Sequence, residues 1–191
     1  MIEQKRILKA RNRFDPFTDR TARDIRNSLS EAFVETLGVK NMDVVAHTVR
    51  RWREQNLASV HTAYIDARLF SYQQVFDTIR SVNITDPLQQ ALLIWNQGLF
   101  FEFHDHLEAI WKSESGNKRQ ALKGLIKAAG VYIHLEADHR QAAASLAAKA
   151  RALLQQYRHC LTFIANLQTL LDKIQSGEPD PPRLEMAPYD A

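Results

Sequence analysis

The sequence predicts an all-α protein, an antiparallel bundle of about six or seven helices joined by short loops. Apolar residues recur at spacings of three and four through most of the chain, which is the period of one helix face. Alternation of apolar and polar residues is nowhere long enough to build a sheet. With 191 residues, 45% of them hydrophobic, the chain can bury one core, and we expect a single domain over residues 1–191.

The N-terminal part is expected to begin with an arm over residues 1–17, followed by a helix over residues 19–37. Thr18 can cap this helix, and Gly38 stands where a left-handed C-terminal residue is common. A second helix, capped by Asn41 or Asp43, runs to about residue 55.

Ser59 is expected to start the third helix, which continues to about residue 79. The positions that we expect to face inward recur at roughly helical period. These positions are Tyr64, Ala67, Phe70 or Ser71, Val75 and Ile79.

The C-terminal part is predicted to contain further helices and an extended or disordered tail over residues 176–191. Asp86 followed by Pro87 is a strong helix start, and Gly98 allows either one kinked helix or two joined helices. A polar turn over residues 112–117 precedes a helix capped by Asn117 and running over residues 118–137. Residues 142–157 and 161–174 are amphipathic and form one helix or two. The tail holds four of the six prolines, which excludes continuous helix.

The charge distribution and the cysteine count limit the partners and the location. The first sixty residues hold twelve Lys or Arg against eight Asp or Glu, so a nucleic-acid or acidic protein partner is one interpretation. Solvated helix faces with local ion pairs are the favoured alternative. One cysteine, Cys160, and no long apolar run predict a cytoplasmic protein with no membrane partner. The basic residues concerned are Arg20, Arg23, Arg26, Arg50, Arg51 and Arg53.

The stretch over residues 95–111, WNQGLFFEFHDHLEAIW, combines aromatic, acidic and imidazole side chains at helical spacing. On a helical wheel His104 and Glu108 form an i, i+4 pair on the half that should be buried, beside Phe101 and Trp111. A buried carboxylate needs a partner, and His104 is the nearest. By the same wheel Glu102, Asp105 and His106 point towards the polar half.

The next helix carries Lys127, Gly130 and His134 on one stripe, which antiparallel packing would bring towards His104 and Glu108. Three interpretations stay open. His104, Glu108 and His134, with Glu102 or Asp105, form a site for a divalent transition metal in a hydrolase-like enzyme. Alternatively, the same three side chains perform metal-free acid or base chemistry on a bound small molecule. The third interpretation is a structural polar network that ties the helix pair together.

The motif also resembles domain-of-unknown-function family 309, a family of small helical bacterial and archaeal proteins, over about residues 88–150. The resemblance implies an all-helical fold and no established reaction or cofactor. The family usually has glutamine at the position of Lys127, whose ammonium would repel a divalent cation and favour an ion pair with Glu108. The residues that carry the resemblance are Asn96, Gly98, Phe100, Phe101, Glu102, His104, Asp105, Leu107, Glu108, Trp111, residues 122–129, Tyr132 and His134. The implied signature site comprises Glu102, His104, Asp105, Glu108, Trp111, Gly124 and His134, to which we add Lys127 as a ligand-binding candidate.

Overall fold

The computed structural model describes residues 13–187 and confirms the predicted all-α fold. Within these residues eight α-helices form, slightly more than the six or seven predicted, and no strand forms. One isolated β-bridge joins Ile164 to Met186. Residues 1–12 of the predicted arm and residues 188–191 of the predicted tail lie outside the described part. The helices are α1 (Arg20–Val39), α2 (Asp43–Arg53), α3 (Ser59–Val82), α4 (Pro87–Asn96), α5 (Phe100–Ser113), α6 (Gly116–Glu136), α7 (Arg140–Gln156) and α8 (Leu167–Ser176), with a short 3-10 helix at Arg158–Cys160.

The described part of the chain divides into two compact units, one that ends at Phe76 and one that begins at Asp77. In the first unit, α1 buries one face completely and packs against α2. The indole Nε1 of Trp52 donates a hydrogen bond of 2.7 Å to Ser28 Oγ, and Phe33 stacks on Tyr72 with ring centroids 4.2 Å apart. The prediction of a single domain stays a prediction.

The ends of α1 differ from the predicted ones by one or two residues. Asp19, and not Thr18, caps the helix, because its carboxylate accepts hydrogen bonds from the backbone N–H groups of Thr21 and Ala22. The left-handed C-terminal residue is Lys40, with φ of 57°, so Gly38 lies inside the helix. A local sequence pattern indicates that a helix begins or ends nearby, but several neighbouring residues can act as the cap. The pattern therefore does not fix the terminal residue.

The start of α3 at Ser59 is confirmed, whereas its predicted inner face is correct only in part. Ile65, Tyr72 and Phe76 are buried, while Ala67 is exposed and Phe70 is 65% exposed. Val75 is buried as predicted. The error arises because apolar residues occur nearly all round α3, so their spacing does not single out one face.

In the second unit, Gly98 separates α4 from α5, so the alternative with two helices is confirmed. Asp86 caps α4 as predicted, and Gly98 has φ of 72°, a left-handed value that glycine adopts without strain. The aromatic residues around this corner form a buried cluster. The Trp95 ring centroid lies 5.0 Å from that of Phe100 and 5.3 Å from that of Tyr132, both edge to face.

Helices α6 and α7 approach each other closely at two glycines of α6. Built as alanine, Gly124 would place its Cβ 2.9 Å from Leu154, and Gly130 would place its Cβ 3.1 Å from Leu146. The two helices run antiparallel, because the later glycine of α6 contacts the earlier leucine of α7. Small residues therefore set the distance between these two helices.

The region after α7 contains a 3-10 helix and then α8, so residues 142–174 form two helices and not one. The described part of the tail is extended and ordered against this unit. Trp95 Nε1 donates to Pro182 O at 2.8 Å, and Ala165 N donates to Glu185 O at 2.9 Å. The prediction of an extended or disordered tail over residues 176–191 stays a prediction beyond this description.

Candidate functional site

Helix α5 has a buried face that includes two ionisable side chains. Glu102 is fully buried and His106 is 7% exposed, beside the buried Phe103 and Leu107. The prediction that Glu102 and His106 point to the polar half is therefore wrong. Since α5 packs against both α4 and α6, its buried sector is wider than a single stripe and takes in the polar neighbours of Phe103 and Leu107.

The buried His106 fixes α5 to the start of α4. Its Nε2 donates to the backbone carbonyl of Pro87 at 2.9 Å. Burial lowers the pKa of His106 below its usual value, and the hydrogen bond to Pro87 opposes this shift only in part. Glu102 lies in the first turn of α5, where the helix dipole favours a negative charge. The surroundings of His106 and Glu102 are thus those of residues that hold helices together.

The half-exposed face of α5 carries the cluster that we call the His104 cluster, made of His104, Asp105 and Glu108. His104 Nδ1 lies 3.2 Å from Asp105 Oδ1, and His104 Nε2 lies 3.8 Å from Glu108 Oε1. The three side chains are 30%, 25% and 41% exposed. The predicted pair is therefore present, but on the surface and not at a buried edge. Phe101 lies nearly parallel to the imidazole, with ring centroids 6.1 Å apart.

His134 does not join the His104 cluster. Phe100 packs on Tyr132 with centroids 5.2 Å apart, which sets the level of α5 against α6. His134 is two residues beyond Tyr132, whereas Glu108 is eight residues from Phe100 in the opposite direction, so about 15 Å separates them along the axis. His134 instead lies near His139, with ring centroids 5.8 Å apart. Burial, together with this neighbouring ring, lowers the pKa of His134.

The predicted metal site is not formed by these side chains. In residues 13–187 no group of three or more His, Cys, Asp or Glu side chains is arranged to hold a metal ion. The set of His104, Glu108 and His134 is therefore not assembled, because the register of α5 against α6 carries His134 past the end of α5.

The other predicted elements of the facing stripe have different positions from those expected. Within the described chain, no ion pair or hydrogen bond joins Lys127 to Glu108. Gly130 does not leave a space beside His134, since Leu146 of α7 occupies it. Gly124 likewise faces Leu154. The two glycines are therefore packing residues of the α6–α7 contact.

Trp111 lies at the end of α5 next to the turn that leads into α6. The guanidinium of Arg119 lies over its ring at 3.9 Å, and the same guanidinium donates to Glu114 O at 3.1 Å. Lys118 pairs with Glu114 at 2.6 Å. These contacts close the hairpin of α5 and α6, so Trp111 is placed for a structural role two turns away from His104.

The basic residues of the first unit have mostly local partners. Arg20 pairs with Asp24 at 3.7 Å, and Arg53 pairs with Asp66 at 2.6 Å. Arg23 donates to two carbonyls of the preceding turn, and Arg26 donates to the adjacent asparagine. Arg50 and Arg51 are exposed. This arrangement supports the alternative of solvated faces, and the nucleic-acid interpretation gains no support.

Two polar contacts were missed by sequence reasoning. His61 is buried, and its Nε2 lies 2.7 Å from Asp19 Oδ2. Burial raises the pKa of Asp19, but its hydrogen bonds with His61 and with two backbone N–H groups outweigh burial and lower it. Asn96 binds the backbone of Leu184 through both ends of its amide. Since 42 and 88 positions separate the partners, no local pattern indicates either contact.

The comparisons with known proteins concern one segment. Residues 88–146 match the model of a family described as Domain of unknown function (DUF309). Searches of curated proteins and of solved structures gave no significant match. None of the helices in the described part combines the length and apolarity needed to cross a bilayer, and the cytoplasmic location stays a prediction. The resemblance predicted from the motif is thus confirmed: residues 88–146 of this helical chain are similar to the DUF309 family.

Proposed function

We propose that this protein binds a small ligand at the His104 cluster, through a cationic or hydrogen-bond-donating group of the ligand. One observation carries the proposal: the imidazole of His104 stands between two carboxylates on a face that solvent reaches. Two carboxylates flank a single imidazole, so the cluster favours a positive partner. Phe101 adds an aromatic ring, whose face attracts cations.

A purely structural role explains the His104 cluster less well. Ion pairs on an exposed face contribute about 0–1 kcal/mol to stability, because water screens them and ordering long side chains is unfavourable. The packing of α5 depends on its other face, where Phe103 and Leu107 are fully buried. The cluster therefore sits on a helix whose position is already fixed, which suits a binding site. Metal-dependent hydrolysis is not proposed, since the three predicted ligands do not converge.

The test is a titration of the full chain with agmatine, which carries both a guanidinium and an ammonium group, followed by NMR of the histidine ring protons. We expect saturable shifts of the His104 signals, assigned with His104→Gln, and no such shifts with acetate. Glu108→Gln should weaken agmatine binding by about tenfold, the effect of removing one charge-assisted hydrogen bond. Glu31→Gln, at an exposed position of α1, is the matched control.

Stability measurements separate binding from a structural network. Under the proposal, His104→Ala and Glu108→Gln shift the free energy of unfolding by less than about 1 kcal/mol. A larger loss of stability, together with His104 signals that agmatine does not move, would replace the binding site by a structural network.

A further inference from the structure

A groove of about 400 Å³ lies between α6, α7 and the C-terminal end of α8, away from the His104 cluster along the chain. Small-molecule sites in proteins have about 300–1,000 Å³, so the groove has the size of a ligand site. Its floor is apolar, since Val131 and Ile174 are 1% exposed and Ala143 is 2% exposed.

The groove exists because α7 presents short side chains towards it. Ala144 and Ala148 line the rim and are exposed, while Ala147 lies deeper and is 7% exposed. A methyl group cannot fill the space that a leucine would fill between helices. The apolar wall therefore stays open along about two turns of α7.

Two arginines of α7 also line the groove, and no lining residue is acidic. Arg140 and Arg151 are eleven residues apart, or three helical turns, so they share one face with about 16 Å between them along the axis. The Nε atom of Arg151 is buried and has no hydrogen-bond partner among residues 13–187. Arg151 as a whole is half-exposed and lines the groove, so an anion bound there would accept hydrogen bonds from its guanidinium.

Two acidic groups close in sequence to the lining residues are paired with cations. Arg140 Nε donates to Asp138 Oδ1 at 3.2 Å on the exposed side of α7. Glu178 follows the lining residue Gly177 and pairs with Lys173. Neither carboxylate pairs with Arg151, whose guanidinium is the positive group left to a ligand.

We propose that this groove binds an amphipathic organic anion, which is a site distinct from the His104 cluster. The apolar body of the ligand lies along Ala144, Ala148 and Val131. Its carboxylate or phosphate accepts hydrogen bonds from Arg151. The planar guanidinium can bind either a carboxylate or a phosphate. The groove therefore recognises an anionic group that is attached to an apolar body.

The experiment uses 8-anilinonaphthalene-1-sulfonate, a fluorescent apolar anion, titrated into the full chain. We expect a saturable fluorescence increase with one site per chain. Arg151→Met keeps the aliphatic stem but removes the charge, and should weaken binding by about tenfold or more. The matched control is Arg158→Met, an exposed arginine in the 3-10 helix, which should bind like the unchanged chain. Equal affinity of Arg151→Met and Arg158→Met overturns the proposal.

A second variant tests the position of the site without touching the core. Ala148→Phe places a ring at the exposed rim and should abolish binding while circular dichroism and melting stay unchanged. Decanoate and decyl phosphate should displace the probe, and their relative affinity distinguishes the two anionic groups. Decanol, which lacks the charge, should not displace it; equal displacement by decanol overturns recognition of the anion. A dimer in size-exclusion chromatography that Ala148→Phe dissociates would make the groove a subunit interface and also overturn the proposal.

Discussion

Asn96 and Leu184 exchange two hydrogen bonds, with Asn96 Nδ2 donating to Leu184 O at 2.8 Å and Leu184 N donating to Asn96 Oδ1 at 2.7 Å. Asn166 binds the neighbouring peptide groups in the same way, through Arg183 O at 2.8 Å and Glu185 N at 3.0 Å. Two asparagine side chains therefore bind backbone groups of three consecutive tail residues. The tail is extended because these amides replace the backbone partners that a sheet would supply.

Asn96→Ala should detach this part of the tail. The substitution removes both hydrogen bonds and leaves the peptide groups of Leu184 to water, so we expect the free energy of unfolding to fall by about 1–3 kcal/mol. Urea denaturation measures the loss, and limited proteolysis should show faster cleavage after α8. Asn117→Ala, at an exposed position, is the control. Unchanged proteolysis of the tail would contradict the role assigned to Asn96.

The two glycines of α6 should respond differently to alanine. At Gly124 a Cβ would meet Leu154 Cγ at 3.0 Å and Leu153 Cβ at 3.2 Å, so α7 would have to move, and we expect a loss of about 1–3 kcal/mol. At Gly130 the contact is a single terminal methyl of Leu146, which can rotate. Alanine also favours helix by about 1 kcal/mol over glycine, so Gly130→Ala should be nearly neutral or stabilising. Equal melting temperatures of the two variants would count against glycine-limited packing at Gly124.

The buried His106 predicts a pH dependence of stability. Its folded pKa lies below the usual 6.5, so the unfolded chain binds the proton more tightly. The contribution of His106 is therefore complete above pH 6.5 and is lost as the pH falls from there through the folded pKa. His106→Gln keeps an N–H for the Pro87 carbonyl but cannot titrate, so the fall in urea midpoint between neutral and mildly acidic pH should be smaller. His134 shifts in the same direction, which leaves a residual slope. If the variant keeps the full slope, His106 does not titrate as described.

Asp19 joins the start of α1 to His61, and Asp19→Ala should destabilise the first unit. The change removes the cap, which contributes about 1 kcal/mol, and the hydrogen bond with the buried His61. Because the folded pKa of Asp19 is lowered, its contribution is complete above the usual value of 3.8 and disappears as the pH falls through the folded pKa. Thermal melting at neutral pH measures the loss. Asp24→Ala, which breaks an exposed pair with Arg20, should change the midpoint little. Similar losses for both would argue against the cap.

The starts of α3 and α4 could be predicted because their signals are local. Asp86 caps α4 by accepting a hydrogen bond of 2.9 Å from the backbone N–H of Leu88, two positions away. The residues that form this cap are therefore close together in the sequence. The buried face of α5 could not be predicted in the same way. A helical wheel shows which residues share a face of a helix. Which face is buried depends on the helices that pack beside it, and α5 has one on each side.

The candidate site was predicted in part for the same reason. His104 and Glu108 are neighbours on one helix, so their proximity followed from a spacing of four. The position of His134 depends on the register between α5 and α6, which the packing of Phe100 on Tyr132 decides. The packing of buried side chains fixes the register between two helices. A shift of a few residues in this register is enough to separate predicted ligands by a full helical turn or more.

The hydrogen bonds between Asn96 and the tail limit how far this protein can be shortened. The match to the DUF309 family model ends at residue 146, inside α7, yet Trp95 and Asn96 within the matched segment are hydrogen-bonded to Pro182 and Leu184. A recombinant fragment cut at the family boundaries would expose a tryptophan indole and half of a helix contact to solvent. Shortened versions of the protein should therefore retain residues through 187, and an affinity tag belongs after that point.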